Sequence, residues 1–255
     1  MSIKKYIPNI ISLGSLFLGF LSILNSSLIP EDFSSYLFAC YFILFAAILD
    51  SLDGAVARLL GVSSDFGKEL DSLVDLVSFC LAPSILVYNL YSQNMPGISG
   101  EMIAFAPLLL GVIRLAQFNI SDNEGVSYFK GLPTTLNAIF ICSLIIYVED
   151  MKLIEPQYSD PKLLLPIIMT SSFLMVTKIR YSKISLFQSS NQINPMKLFV
   201  ILAVAIIVIG LIIIKEEQSA FILLSSGFIV FGLLNHLFIR EKIHNKLIKK
   251  IINKN

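Results

Sequence analysis

The sequence predicts an all-α fold, a polytopic membrane bundle of about eight transmembrane helices, and three observations predict it. Of the 255 residues, 55% are hydrophobic and only 15% are charged. The mean hydropathy is +0.78, well above that of an ordinary soluble domain. Apolar runs recur about every 30 residues. Several of them reach the roughly 20 residues that a helix needs to cross the hydrocarbon core. Lysine and arginine concentrate in alternate connections between those runs, as membrane topology demands.

The expected spans lie near residues 8–25, 35–58, 70–91, 102–118, 132–148, 162–178, 198–214 and 220–240. The first follows Lys4 and Lys5 and has the basic start and apolar length of a secretory leader. No A-x-A-like site precedes "NSSLIP", however, and the run carries Pro8 and Asn9, so it is expected to stay as a span. The second and third, which carry Asp50, Asp53, Asp71 and Asp75, flank a short polar turn, and the fourth ends close to Arg114. The remaining four are apolar runs without acidic residues at their centres. Beyond them the tail "REKIHNKLIKKIINK" places Ile243, Leu247 and Ile251 between lysines. That spacing fits an amphipathic helix on anionic headgroups, or a solvated charged tail. No internal repeat or separate soluble domain is visible, so residues 1–255 are expected to form a single membrane domain.

Eight crossings put both termini on one side. The connections and termini on that side hold sixteen of the nineteen lysines and arginines, and only Lys152, Lys162 and Lys215 fall opposite. The terminal side is therefore expected to be cytoplasmic, in the cell membrane. Cys40, Cys80 and Cys142 each sit alone in an apolar run without CxxC spacing and read as small hydrophobes. His236 and His244 are too few for a metal cluster.

The stretch from residue 49 to 79 breaks the apolar pattern with Asp50, Asp53, Asp65, Asp71 and Asp75. On a helix, Asp50, Asp53, Gly54 and Ala57 share one face, and the small Gly54 and Ala57 leave room for a bulky ligand beside the charges. Asp71 and Asp75, four residues apart, share a face of the next helix. A turn containing Gly61 and Gly67 is expected to fold this second pair back toward the first. Four carboxylates at a membrane edge repel one another unless something positive lies between them. Oxygen ligands without nearby histidine or cysteine favour Mg²⁺, Mn²⁺ or Ca²⁺ over Zn²⁺. Two such ions in four carboxylates suit displacement at phosphorus, so the substrate is expected to be a phosphate ester. A lone intramembrane aspartate is compatible with helix packing or a proton relay, but pairs on two consecutive helices are hard to explain as structure. Asp65 and Glu69 fall outside the spacing and read as solvated turn charges.

Asp50, Asp53, Gly54, Ala57, Arg58, Gly67, Asp71 and Asp75 follow the pattern D-x2-D-G-x2-A-R-x8-G-x3-D-x3-D without a departure. In this the chain resembles the CDP-alcohol phosphotransferases. Within them it is most similar to the membrane-embedded phosphatidylserine synthases, through "IPNIISLGSLFLGFLSI", "RLAQFNI", "YFKGLPTT" and "MVTKIRYSKIS". The likeness covers about the first 185 residues as a catalytic core; residues 186–255 add two helices and the basic tail.

The resemblance implies transfer of a phosphatidyl group from CDP-diacylglycerol to L-serine, with release of CMP. It implies two divalent cations, Mg²⁺ or Mn²⁺, on Asp50, Asp53, Asp71 and Asp75, with Asp75 also the general base. Gly54, Arg58 and Ser64 would contact the CDP headgroup, and a homodimer in the bilayer is implied. Arg114, a cation near a helix end in the membrane, is expected to face a substrate phosphate or carboxylate, or one of the aspartates. Lys130 and Arg180 are anion contacts or ordinary positive-inside bias, and Asn9 and Asn119 are substrate contacts or helix-end caps. Glycerol 3-phosphate or an inositol phosphate is the alternative acceptor. A cation or proton transporter is the alternative of another class, disfavoured because the aspartates cluster at one membrane face with no inverted copy in the second half.

Overall fold

The computed structural model describes residues 6–29, 32, 34–62, 64–120, 128–151, 161–182 and 222–234. Its helices are α1 (Tyr6–Leu28), α2 (Ser35–Leu60), α3 (Asp65–Ser92), α4 (Ser99–Ile120), α5 (Thr134–Met151), α6 (Pro161–Val176) and α7 (Ile222–Leu234). Helix α4 is interrupted by one turn residue, Phe105. The first five are long and apolar enough to cross a membrane, whereas the apolar parts of α6 and α7 are shorter. These seven helices lie at seven of the eight expected spans; the span near 198–214, the basic tail and both histidines lie outside the described residues.

The bundle carries one element that the all-α expectation omits. Strands β1 (Tyr128–Lys130) and β2 (Arg180–Ser182) pair antiparallel, with Lys130 opposite Arg180. Hydropathy cannot signal a three-residue ribbon, because its pairing is set by the chain around it. Gly131, at φ 76°, turns the backbone there, where a Cβ would collide with the Met175 carbonyl. Its N–H donates to Ile179 O at 2.8 Å, and Leu132 N–H donates to Leu174 O at 3.0 Å. The start of α5 is thereby pinned to the end of α6.

Helix α1 packs on α2 and α3 through a stripe of small residues, Ser12, Ser15, Gly19, Ser22 and Ser26, all buried. Lipid is as apolar as leucine, so close backbone approach and interhelical hydrogen bonds replace the hydrophobic drive of a soluble core. Ser15 Oγ donates to Ala46 O at 3.0 Å, and Ser22 Oγ donates to Ala39 O at 2.9 Å. The opposite face of α1 shows Ile10, Leu13, Phe17, Phe20 and Leu24, which suit contact with acyl chains.

Immediately after Asp75, α3 widens into a π-helical stretch, Leu76–Leu81. Pro83 lacks the N–H that Phe79 O would otherwise accept. Ala82 N–H reaches back five residues to Val77 O. The widened turn presents Ser78 to α1, where its hydroxyl donates to Ser15 O at 3.1 Å. It also presents Cys80 to Gly111 of α4, where an added Cβ would collide with the sulfur. Near the far end of α5, the buried Glu149 accepts a 2.7 Å bond from Tyr91 Oη.

Candidate active site

The last three turns of α2 carry Asp50, Asp53, Gly54, Ala57 and Arg58. The helix stops because Gly61 takes the left-handed conformation, φ 61° and ψ 30°, which closes the last carbonyls: Gly61 N–H bonds Arg58 O and Val62 N–H bonds Ala57 O. Three residues later, Ser64 caps α3, its Oγ accepting the Gly67 N–H at 3.0 Å. Gly67 is therefore not part of the turn, as its spacing suggested, but sits in the first turn of α3. A Cβ there would lie 3.3 Å from Asn9 Oδ1 of α1, so glycine allows α1 and α3 to meet closely. Asp65 and Glu69 are exposed, as expected of solvated charges.

This short connection brings the two aspartate pairs together. Carboxylate oxygens of Asp50, Asp53 and Asp71 lie within 4.8 Å of one another. Asp53 is buried, and its Oδ2 accepts the Ser12 hydroxyl at 2.5 Å. Asp75 stands outside that group of three, beside Asp50. One of its oxygens, Oδ2, accepts the Thr134 hydroxyl at 3.2 Å, while Oδ1 is buried with no partner among the described residues. Hard oxygen donors gathered this closely, with a further buried carboxylate oxygen unsatisfied next to them, fit a divalent cation.

A cavity of about 160 Å³ opens beside the carboxylates, lined among others by Asn9, Ser12, Asp53, Gly54, Ser64 and Lys68. Gly54 leaves the backbone approachable, the nearest atom to an added Cβ being Arg58 Nη1 at 3.5 Å. Arg58 itself is exposed. Arg114 is linked to Asp75 through an intermediary, Thr134. Arg114 is buried, its Nη1 donates to Thr134 Oγ1 at 3.1 Å, and its guanidinium lies 5.9 Å from the centre of the Phe118 ring. Asn9 lines the cavity, whereas Asn119 Oδ1 accepts from Ser72 Oγ at 3.0 Å outside it. Lys130 is exposed on the ribbon, whereas Arg114 is buried.

Three residues at the site carry little functional signal in the sequence. Lys68 is one of the sixteen basic residues on the terminal side, and Ser12 and Thr134 carry no charge to mark them. The one signal for Ser12 is its place in the small-residue stripe; for Thr134 it is the "GLPTT" stretch, with Pro133 just before a helix.

Comparison with known proteins points to the same chemistry. The family model described as CDP-alcohol phosphatidyltransferase matches residues 5–232. The chain is 32% identical to the CDP-diacylglycerol–serine O-phosphatidyltransferase of Helicobacter pylori, over 97% of this chain and 95% of that protein. It is 35% identical to the enzyme of the same name from Bacillus subtilis, over 69% of this chain and 90% of the other. The archaetidylserine synthase of Methanothermobacter thermautotrophicus is 34% identical over 70% of each chain.

Proposed function

The chain belongs to the CDP-alcohol phosphatidyltransferase family, and from that premise we propose that it is a phosphatidylserine synthase, an integral membrane enzyme that moves the phosphatidyl group of CDP-diacylglycerol to L-serine and releases CMP. The observation that carries this is the convergence of the Asp50, Asp53 and Asp71 carboxylates beside a cavity, with Asp75 adjoining them.

Asp50, Asp53, Asp71 and Asp75 would hold two divalent cations, Mg²⁺ or Mn²⁺. When bound, these neutralise the phosphoryl oxygens and the departing nucleotide. Gly54 lets the diphosphate approach the α2 backbone, Arg58 supplies charge-assisted bonds to it, and Ser64 contacts the headgroup. The serine hydroxyl is a poor nucleophile until a base takes its proton, and Asp75 is that base. The hydroxyl oxygen then bonds to the phosphatidyl phosphorus, the bond from phosphorus to the bridging oxygen breaks, and CMP leaves with the electron pair. Arg114 keeps positive charge beside Asp75 and faces the anionic substrates. The site and both termini face the cytoplasm, eight helices cross the cell membrane, and the enzyme works as a homodimer. Residues 1–185 form the catalytic core of one domain that spans 1–255.

The test is incubation of the purified protein with CDP-diacylglycerol, Mg²⁺ or Mn²⁺, and either L-serine or glycerol 3-phosphate. Serine-dependent CMP release with a phosphatidylserine product is expected. Release with glycerol 3-phosphate alone reassigns the acceptor, and no metal-dependent release with any acceptor contradicts the transferase.

A further inference from the structure

Resting on the transfer reaction above, we propose that Thr134 is a positioning residue that links Arg114 to Asp75, the general base, and fixes the orientation of its carboxylate. Thr134 is 1% exposed at the first turn of α5, where it bridges α4 and α3: it accepts from Arg114 Nη1 and donates to Asp75 Oδ2. The direction of these bonds is forced. A guanidinium only donates, so Thr134 must accept from it, and its single hydroxyl proton is left to point at the carboxylate.

The hydroxyl is placed by parts of the chain that do not touch the aspartates. Gly131 and Leu132 are tied to Ile179 and Leu174, and Pro133 O accepts the Asn137 N–H at 3.0 Å. Thr134 is thus a fixed point to which Asp75 is hung. Tethering Oδ2 stops the carboxylate from rotating, while Oδ1 stays buried and without a hydrogen-bond partner among the described residues. Catalytic geometry is sensitive to this kind of orientation, because a small misplacement costs rate without costing binding.

The experiment compares Thr134→Val, which keeps the shape and removes the hydroxyl, with Thr134→Ser, which keeps the hydroxyl. Three readouts are taken: kcat for serine-dependent CMP release, KM for CDP-diacylglycerol, and Mn²⁺ affinity from free-ion paramagnetic resonance. Thr134→Val is expected to lower kcat about tenfold or more, the scale of a lost hydrogen bond to a charged group, while KM stays within about twofold and Mn²⁺ affinity falls by less than kcat does. Thr134→Ser should restore kcat to within about threefold of wild type. If Thr134→Val loses Mn²⁺ and lipid affinity through misfolding, Thr134→Ala against Thr134→Ser makes the same comparison. Unchanged kcat in the variant lacking the hydroxyl, or failure of serine to rescue, overturns the positioning role alone. A wild-type protein that releases no CMP with serine overturns the transfer reaction and the positioning role with it.

Discussion

Ser12 on α1 donates its hydroxyl to Oδ2 of Asp53 on α2 at 2.5 Å, and both side chains are buried. The two residues are 41 apart in sequence, so the first helix, which has no acidic residue of its own, supports the proposed metal site. Outer partners of this kind hold a ligand's orientation, and losing one typically weakens metal affinity or activity by about 10- to 100-fold. Ser12→Ala is therefore expected to weaken Mn²⁺ binding by about tenfold. Unaltered Mn²⁺ affinity would show that Asp53 needs no help from α1.

Removal of metal should act on the whole reaction. Excess chelator is expected to abolish CMP release, and added Mg²⁺ or Mn²⁺ to restore it. Full activity in chelator would contradict the assignment of the four aspartates.

Two glycines should behave in opposite ways. A Cβ at Gly19 would press on the backbone and side chain of Ser78, whereas nothing lies within 4 Å of one at Gly227. Gly19→Ala is expected to cost about 1–3 kcal/mol through overpacking between α1 and α3. Gly227→Ala, on an exposed helix position, is expected to be neutral or to stabilise by up to about 1 kcal/mol. Thermal unfolding in one detergent compares them, and equal midpoints would mean that α1 does not approach α3 as described.

Topology can be read by cysteine labelling with little background, since Cys40, Cys80 and Cys142 are all buried. Asp65→Cys should react with an impermeant maleimide only from the cytoplasmic side, and Lys152→Cys only from the other. Reaction of both from one side contradicts the eight-span topology.

The sequence revealed most about features that are local along the chain. Asp50 and Asp53, or Asp71 and Asp75, lie one helical turn apart, so spacing alone places each pair on one face. The pairs meet across a connection only a few residues long, and this too was legible. Ser12 and Thr134 were not, because their partners lie 41 and 59 residues away, across helix contacts that hydropathy does not encode. Hydropathy also anticipated the five long helices, but not the β1–β2 ribbon, whose register depends on how α5 and α6 dock. Gly67 reads as a turn residue because glycine most often marks one; in the structure it marks a close approach of α3 to Asn9 instead.

The central claim is that the aspartates divide their labour, with Asp75 as the base and Asp50 as a metal ligand only. Asp75→Asn keeps the side-chain shape and most of the oxygen ligation but cannot take a proton, whereas Asp50→Asn weakens the metal site and leaves the base intact. The decisive measurement is CDP-diacylglycerol affinity and serine-dependent CMP release, taken together for both variants. Asp75→Asn should still bind CDP-diacylglycerol in a metal-dependent way while turnover falls by about 10²-fold or more, and Asp50→Asn should lose binding and turnover together. Near-normal turnover in Asp75→Asn would contradict the assignment and leave serine to be activated without a carboxylate base.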